Sequence, residues 1–395
     1  MAQALVPARI IGNTFPDTNP GKLAWYSAAY GLTAGTFVLP AGRLGDVFGH
    51  KAVVVVGFLW LAAWSFAAGF APSVGNAGGL GTIFFCFSRA MQGIGSALVV
   101  PNGQGILGRA YPPGPRKNIV MSMFGAAAPL GFVVGAAMSS LFAEQAQWPW
   151  AFWTLAALCV ALAALSILAL PSSLCHGSQV AKQIEEGLWV RLDVPGIMLG
   201  ISGLVLFNFA FNQAPIVSWR TPYTYFILII GALLLAGFTY TQQHARHPLV
   251  PVSAMHTGTN FVLGCTAAGW GCFGVWVYYA FTFLENFRGW SPLTASAALA
   301  PAPIAGLIAS LLTGFLMSRG VRPHWIMLAS MFSFLVGSLL FATAPVAQSY
   351  WFNTFFGIVI MPFGMDMSNP AATMYVADDA FNLDSSKREG EADPN

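Results

Sequence analysis

Eleven times between residues 23 and 376 this chain runs apolar for twenty residues or more, at about 23–42, 52–71, 81–107, 119–142, 150–170, 195–214, 222–241, 260–284, 294–317, 324–344 and 350–376. A hydrocarbon layer about 30 Å thick is crossed by ~20 helical residues, so each run has the length of a membrane span. In lipid the backbone must satisfy its own hydrogen bonds, and only a helix does so within one segment. A β-barrel would instead show alternating stretches of about ten residues. Composition agrees: 8% of the 395 residues are charged and 56% hydrophobic, whereas a soluble surface needs roughly a quarter to a third of its positions charged. The predicted fold is all-α, a polytopic transmembrane helix bundle of about eleven spans. A soluble enzyme and a disordered chain fit this composition poorly, and a net charge of +3 is too thin a field for a nucleic-acid partner.

The basic residues orient the bundle. With the 43–51 turn in the cytoplasm, that side receives Arg43, Lys51, Arg109, Arg116, Lys117, Lys182, Arg191, Arg246, Arg319, Arg322, Lys387 and Arg388, and the opposite side only Lys22, Arg220 and Arg288. This is the positive-inside pattern. The polar stretch 171–194 reads as a cytoplasmic connector between two bundles, and residues 377–395 as a disordered acidic tail. The expected location is an integral one, in the plasma membrane or a vacuolar or other organelle membrane. Cys86, Cys159, Cys175, Cys265 and Cys272 have no metal-binding spacing, and no cofactor or metal is expected. His50, His176, His244, His247, His256 and His324 all fall in predicted loops and read as solvated.

Two ionisable residues lie well inside spans, Arg89 and Asp366, where insertion costs about 2.5–3.5 kcal/mol. Each has two readings. Arg89 is either a structural cation bonded to helix carbonyls or a proton-coupling group; Asp366 is either a packed carboxyl or a protonatable cavity residue. Pro362, Gly364 and Pro370 around Asp366 predict a locally broken helix of the kind that lines transporter cavities. A second constellation is GRLGDVFGHK, residues 42–51, a very short turn between spans. There Asp46, beside the basic Arg43 and Lys51, can pair with a base on a neighbouring helix as a conformational latch, or be an ordinary solvated turn.

Gly31 with Gly35, and Gly131 with Gly135, are small-xxx-small pairs that predict close helix approach, and Pro129 predicts a kink. Gln92, Asn102, Gln104, Asn208, Asn212, Asn353 and Asn369 lie within spans, where they line an aqueous path or bond between helices. Gly103, Gly105 and Gly108 spell a dinucleotide fingerprint, but inside an apolar helix with no acidic residue between Asp46 and Glu144, so this is a packing feature. There is no Walker-type phosphate loop, and no nucleophile–base pair at membrane depth to suggest an enzyme.

These motifs resemble the major facilitator superfamily. Gly42, Asp46, Gly49 and Lys51 match its signature loop. RAMQGIGSA, from Arg89, is similar to its fourth-span motif, with Arg89, Gln92, Gly93 and Gly95 in register. GAAAPLGFVVGAAMSS resembles its fifth-span antiporter motif, with Ala128 where a glycine usually precedes the proline. The stretch from LDVPGIMLG to HARHPLVPVSAM resembles the extra central helix pair of the fourteen-span drug:proton antiporter branch. The overall look is similar to fungal members that include aminotriazole-resistance and low-affinity ammonium transporter relatives. The resemblance implies an N-terminal bundle over 1–170 with its first span incomplete, a central pair over 195–258 and a C-terminal bundle over 259–376. Eleven spans in place of fourteen imply a truncated product or an incomplete gene model. The implied function is a proton-coupled antiporter or exporter of small molecules, working by alternating access between lipid-embedded bundles. Its partners are a small-molecule substrate, protons and the bilayer. The alternatives are uptake of a small nitrogen compound such as ammonium, or a non-transporting fragment. On this basis Arg89 and Asp366 carry proton coupling, and Gly42, Arg43, Asp46, Gly49 and Lys51 form the latch. Gln92, Gly93, Gly95, Pro129, Gly131, Gly135, Asn208 and Asn212 then border the path.

Overall fold

The computed structural model describes residues 1–16, 18–74, 79–112, 114–171, 187–250, 255 and 257–392. Each apolar run is mostly helical, the 294–317 run with a turn at Leu299–Ala300, and the described residues include no strand. The helices are α1 (Ala2–Leu5), α2 (Ala8–Gly12), α3 (Pro20–Phe48), α4 (His50–Gly69), α5 (Leu80–Ala110), α6 (Pro115–Gln145) and α7 (Pro149–Ala169), then α8 (Leu188–Arg191), α9 (Val194–Val217), α10 (Pro222–His244), α11 (Thr257–Thr282), α12 (Pro292–Ala298), α13 (Pro301–Ser318), α14 (Pro323–Ala342) and α15 (Asn353–Ala392). Among the described residues nine stretches are long and apolar enough to cross a membrane. The other two of the eleven runs, in α3 and α15, are also long helices, made more polar by Lys22, Arg43 and Asp46 in one and by Asp366 and Asn369 in the other. The surface is inverted relative to a soluble protein. Leu168 is 84% exposed and Phe261 72%, while Arg89, Gln92 and Asn102 are buried. The chain is a polytopic membrane helix bundle.

Two compact units emerge, one of residues 1–112 and 138–254, the other of 113–137 and 255–395. In the first, α3 and α5 run parallel in constant register: Tyr26 is bonded to Arg89, Ala41 to Asn102 and Asp46 to Arg109, each about sixty positions on. Helix α4 connects them in sequence, runs back antiparallel and packs on α5. Helix α7 packs on α4, with Gly69 against the Trp153 ring, and the α9–α10 hairpin packs on α3 through Trp25 and Phe209, 5.4 Å between centroids. One end of the unit is sealed by aromatic rings. Phe85 meets Tyr26, Trp148 and Phe152 edge-on at 5.0, 5.4 and 5.5 Å, each such contact contributing about 0.5–1.5 kcal/mol beyond area burial. Residues 1–12 form α1 and α2, and Ala4 and Ile11 pack into this cluster.

In the second unit α14 and α15 close tightly where glycines remove side chains. A Cβ on Gly364 would meet the Phe334 ring at 2.7 Å, and one on Gly337 the Met361 backbone at 3.3 Å. Ser330 Oγ donates to the Gly364 carbonyl at 2.7 Å. Val262, Ala309, Ile326, Met327, Met367, Ala371 and Ala372 form the core beside this seam. Helix α11 ends in a π-helical turn, Phe283–Phe287, which carries Glu285.

Several expectations change. The 43–51 segment is scarcely a loop: α3 runs through Phe48, α4 starts at His50, and only Gly49 leaves helical geometry, at φ 93°. Residues 43–48, which include the charged Arg43 and Asp46, continue the helix past the end of the apolar run as far as Gly49. At Gly31, Gly35, Gly131 and Gly135 an added Cβ would meet nothing within 4 Å among the described residues, so the close approaches expected there are not made. Helix α15 continues to Ala392, into the stretch read as a disordered tail; no proline or glycine lies between Pro370 and Gly390 to stop it. Lys182, Glu185 and Glu186 of the connector lie outside the described residues.

Candidate functional site

The first candidate is the α3–α5 seam. Arg89 is 1% exposed. Its Nε donates to the Tyr26 carbonyl at 3.1 Å, its Nη1 to Gln92 Oε1, and its guanidinium lies 4.7 Å from the Tyr30 ring centroid and 5.7 Å from that of Phe152. Nη2 is buried without a hydrogen-bond partner among the described residues. Gln92 passes the chain on, its Nε2 donating to Ser65 Oγ at 3.0 Å, so a polar strand links α3, α5 and α4 through the apolar interior. The glycines that follow Arg89 make this possible. A Cβ on Gly93 would strike the Tyr30 carbonyl and Thr33 Oγ1 of α3, and one on Gly95 would lie 2.9 Å from the Leu61 backbone of α4. Successive glycines thus admit a different neighbour on each side. Thr33 Oγ1 uses the closeness to donate to the Ala90 carbonyl at 2.5 Å.

The second candidate is the corner around Gly49. Asp46 Oδ1 accepts from Arg109 Nη2 at 3.2 Å, joining the ends of α3 and α5. Lys51 Nζ donates to the Ile167 and Leu170 carbonyls at 2.9 and 2.5 Å and so caps the end of α7, where unpaired carbonyls favour a cation. Arg43 Nε donates to the Arg191 carbonyl at 3.0 Å, tying α3 to the segment before α9. Gly42 lies on α3 beside Pro101 of α5. Sequence reading missed His50, which it placed in a solvated loop. The ring is 5% exposed, held by Asn102 Oδ1 at 2.7 Å, with Gly105 giving it room. The signal was Gly105 on the glycine-rich face of α5, legible only once that face was known to meet α4.

The third candidate is in the other unit. Asp366 is 8% exposed, and its Oδ2 is buried with no hydrogen-bond partner among the described residues. The carboxylate lies over Gly306 of α13, where a Cβ would collide with Oδ2, and the Pro129 ring of α6 comes to 3.2 Å of the same point. Pro370, four residues on, lacks the N–H that would bond the Asp366 carbonyl. Helix α15 therefore offers acceptors at this level and no donor to match them. Gly131 and Gly135 follow Pro129 on α6, in open space. Asn208 and Asn212 are not part of these clusters: each donates to the backbone of its own helix, at 3.2 and 2.9 Å. A pocket of about 530 Å³ between α11 and α14, walled by Trp276, Phe283 and Phe341, has no charged residue on its lining. Among the described residues no cluster of His, Cys, Asp and Glu could hold a metal.

Comparison with known proteins agrees with this architecture. The chain is 48% identical over 96% of its length to the "Low affinity ammonium transporter" of Saccharomyces cerevisiae, covering 72% of that protein. It is 42% identical over 95% of its length to "Efflux pump terJ" of Aspergillus terreus, covering 71%, and 35% identical over 95% to the "Aminotriazole resistance protein" of S. cerevisiae, covering 67%. Its fold is similar to a solved peptide transporter, with a TM-score of 0.57 at 15% identity over 94% of this chain and 83% of that one. The xylose transporter XylE of E. coli, in an inward-open conformation, gives 0.52 at 11% identity over 93% and 77%. The model of the Major Facilitator Superfamily matches residues 4–385, and the chain belongs to that family of membrane transporters.

Proposed function

We propose that the protein is a secondary active transporter that exports small molecules in exchange for protons, by alternating access. The observation that carries proton coupling is Asp366, a carboxyl buried against Gly306 and Pro129 with one oxygen lacking a hydrogen-bond partner among the described residues. A carboxylate so placed has no compensating donor, whereas its protonated form is neutral; gaining and losing one proton alters the local balance by several kcal/mol. Arg89 is assigned as the fixed cation that holds the polar strand of the N-terminal unit together, and Asp46, Arg109, Arg43 and Lys51 as the corner that latches helix ends. Pro129, Gly131 and Gly135 of α6 are assigned to a path wall, whereas Gln92, Gly93 and Gly95, expected on the path, are buried in the packing of α5 against α3 and α4. Export is favoured by the efflux-pump and resistance proteins among the relatives. The ammonium transporter at 48% identity supports a second reading, proton-linked uptake of a small nitrogen compound.

The test is a substrate-panel flux assay in proteoliposomes with and without an imposed pH gradient, comparing wild type with Asp366→Asn. Gradient-driven flux in the wild type, lost in a variant that stays folded and monodisperse, is the expected result. Unchanged gradient-driven flux in Asp366→Asn removes the assignment. The direction of net accumulation separates export from uptake.

A further inference from the structure

We propose that His50 and Asp46 form a proton-binding site at the α3–α4 corner, separate from Asp366 and independent of its role. Asn102 fixes the state of the imidazole. Its Nδ2 donates twice, to the Ala41 carbonyl at 2.9 Å and the Leu98 carbonyl at 2.8 Å. Both acceptors are backbone oxygens, so the amide cannot be turned around, and the atom left facing the imidazole is Oδ1. That oxygen sits 2.7 Å from His50 Nδ1. Two lone pairs at that distance would repel, so Nδ1 carries the hydrogen and donates it. Neutral His50 is thereby fixed as the Nδ1–H tautomer, with Nε2 a bare acceptor.

The bare nitrogen faces a carboxylate. Nε2 lies 3.6 Å from Asp46 Oδ1, one helical turn back across Gly49, and the ring itself is only 5% exposed. Neutral His50 therefore holds an acceptor against an acceptor. A proton on Nε2 turns that contact into an ion pair, while Nδ1–H stays on Asn102. The surrounding charges are otherwise engaged: Arg43 of α3 on the Arg191 carbonyl, Lys51 of α4 on the Ile167 and Leu170 carbonyls, and Arg109 of α5 on Asp46 itself. No acidic or basic residue occurs on α7 to face the ring. Asp46 thus bridges one permanent cation, Arg109, and one conditional cation, His50. Histidine is the side chain whose ordinary titration falls near neutral pH. The corner joining α3, α4 and α5 is held by two ionic links in acid and by one in base.

Two measurements test this. In the first, the protein with His176→Gln, His244→Gln, His247→Gln, His256→Gln and His324→Gln, 15N-labelled at histidine and embedded in lipid nanodiscs, carries His50 as its sole imidazole. Spectra at about pH 8 and about pH 5.5 are compared, and Nδ1 is expected to bear a proton in both, Nε2 only in the acid sample. The second is a thermal-stability cycle of His50→Gln, Asp46→Asn and the double variant at the same two pH values. The His50–Asp46 coupling should be at least twofold larger in acid. An Nε2–H tautomer at the higher pH, or a coupling equal at both, overturns the proposal. The tautomer measurement leaves the corner intact and decides the matter even if the cycle variants do not fold.

Discussion

Replacing Gly93 and Gly31 by alanine asks whether the α3–α5 seam is built as described. Both residues lie in helix interiors, and each Gly→Ala change should add ~1 kcal/mol of helix propensity. Their surroundings differ. A Cβ at Gly31 meets nothing within 4 Å among the described residues, so the gain stands undiminished. A Cβ at Gly93 falls on the Tyr30 carbonyl and Thr33 Oγ1 and 2.9 Å from the Ala34 nitrogen. Two of those three atoms are backbone, so α3 must move as a body. Overpacking of this kind costs about 1–3 kcal/mol. The displacement also stretches the Thr33–Ala90 bond of 2.5 Å and the Arg89–Tyr26 bond of 3.1 Å, each contributing about 1 kcal/mol or somewhat more for the charged donor. The net expectation is a loss of roughly 1–4 kcal/mol at Gly93 against a gain of ~1 kcal/mol at Gly31. Thermal unfolding of the two variants in nanodiscs, at one scan rate, should place Gly31→Ala above wild type and Gly93→Ala several degrees below it. A Gly93→Ala protein as stable as wild type would refute the seam.

Gln92→Leu should destabilise by about 2–4 kcal/mol, because it leaves the buried Arg89 Nη1 without its acceptor, whereas Gln92→Glu should be close to neutral since a carboxylate can take the same bond; chemical or thermal denaturation of both variants in one detergent ranks them. Gly49→Ala forces a side chain into a backbone at φ 93° and should cost ~1–2 kcal/mol. A fall of only a tenth of that in the same assay would mean that the corner relaxes without needing glycine.

Much of the architecture could be read from the chain because apolar length and charge placement act on whole segments. Runs of twenty apolar residues become helices wherever they sit, and Arg89 and Asp366 stand out because charge is so rare around them. Segment-level physics fails where a contact depends on which helix comes alongside. Gly31 and Gly131 have the same spacing to a partner glycine as any packing pair, yet they meet nothing, while Gly93, Gly95 and Gly306 take the close contacts. His50 was hidden for a related reason. Hydropathy ended the span at residue 42, but helical structure continued to Phe48, which moved the histidine from an apparent loop to a buried helix start. Helix boundaries follow backbone breakers such as Gly49, whereas hydropathy follows lipid.

The two intramembrane charges also differ in what a helix bundle can offer them. Each backbone N–H of a helix is spent on a carbonyl four residues back, but each carbonyl oxygen keeps a second lone pair. A buried cation therefore finds acceptors nearly everywhere. Arg89 takes one at Tyr26, a second at Gln92, and the faces of two rings besides. A buried carboxylate needs donors, and helices have none to spare; only hydroxyls, amides or another charge can supply them. Around Asp366 the nearest hydroxyl on its own helix, Ser368, donates to the Met365 carbonyl, and Ser330 donates to Gly364. The facing residues are a glycine and a proline. Two of the arginine's nitrogens are thus met by nearby acceptors, Nη2 excepted, whereas Asp366 Oδ2 meets no donor among the described residues. A proton arriving from outside the helices would satisfy it. If Asp366→Asn were both markedly less stable than wild type and unaltered in gradient-driven flux, this asymmetry would not be what the carboxyl is for.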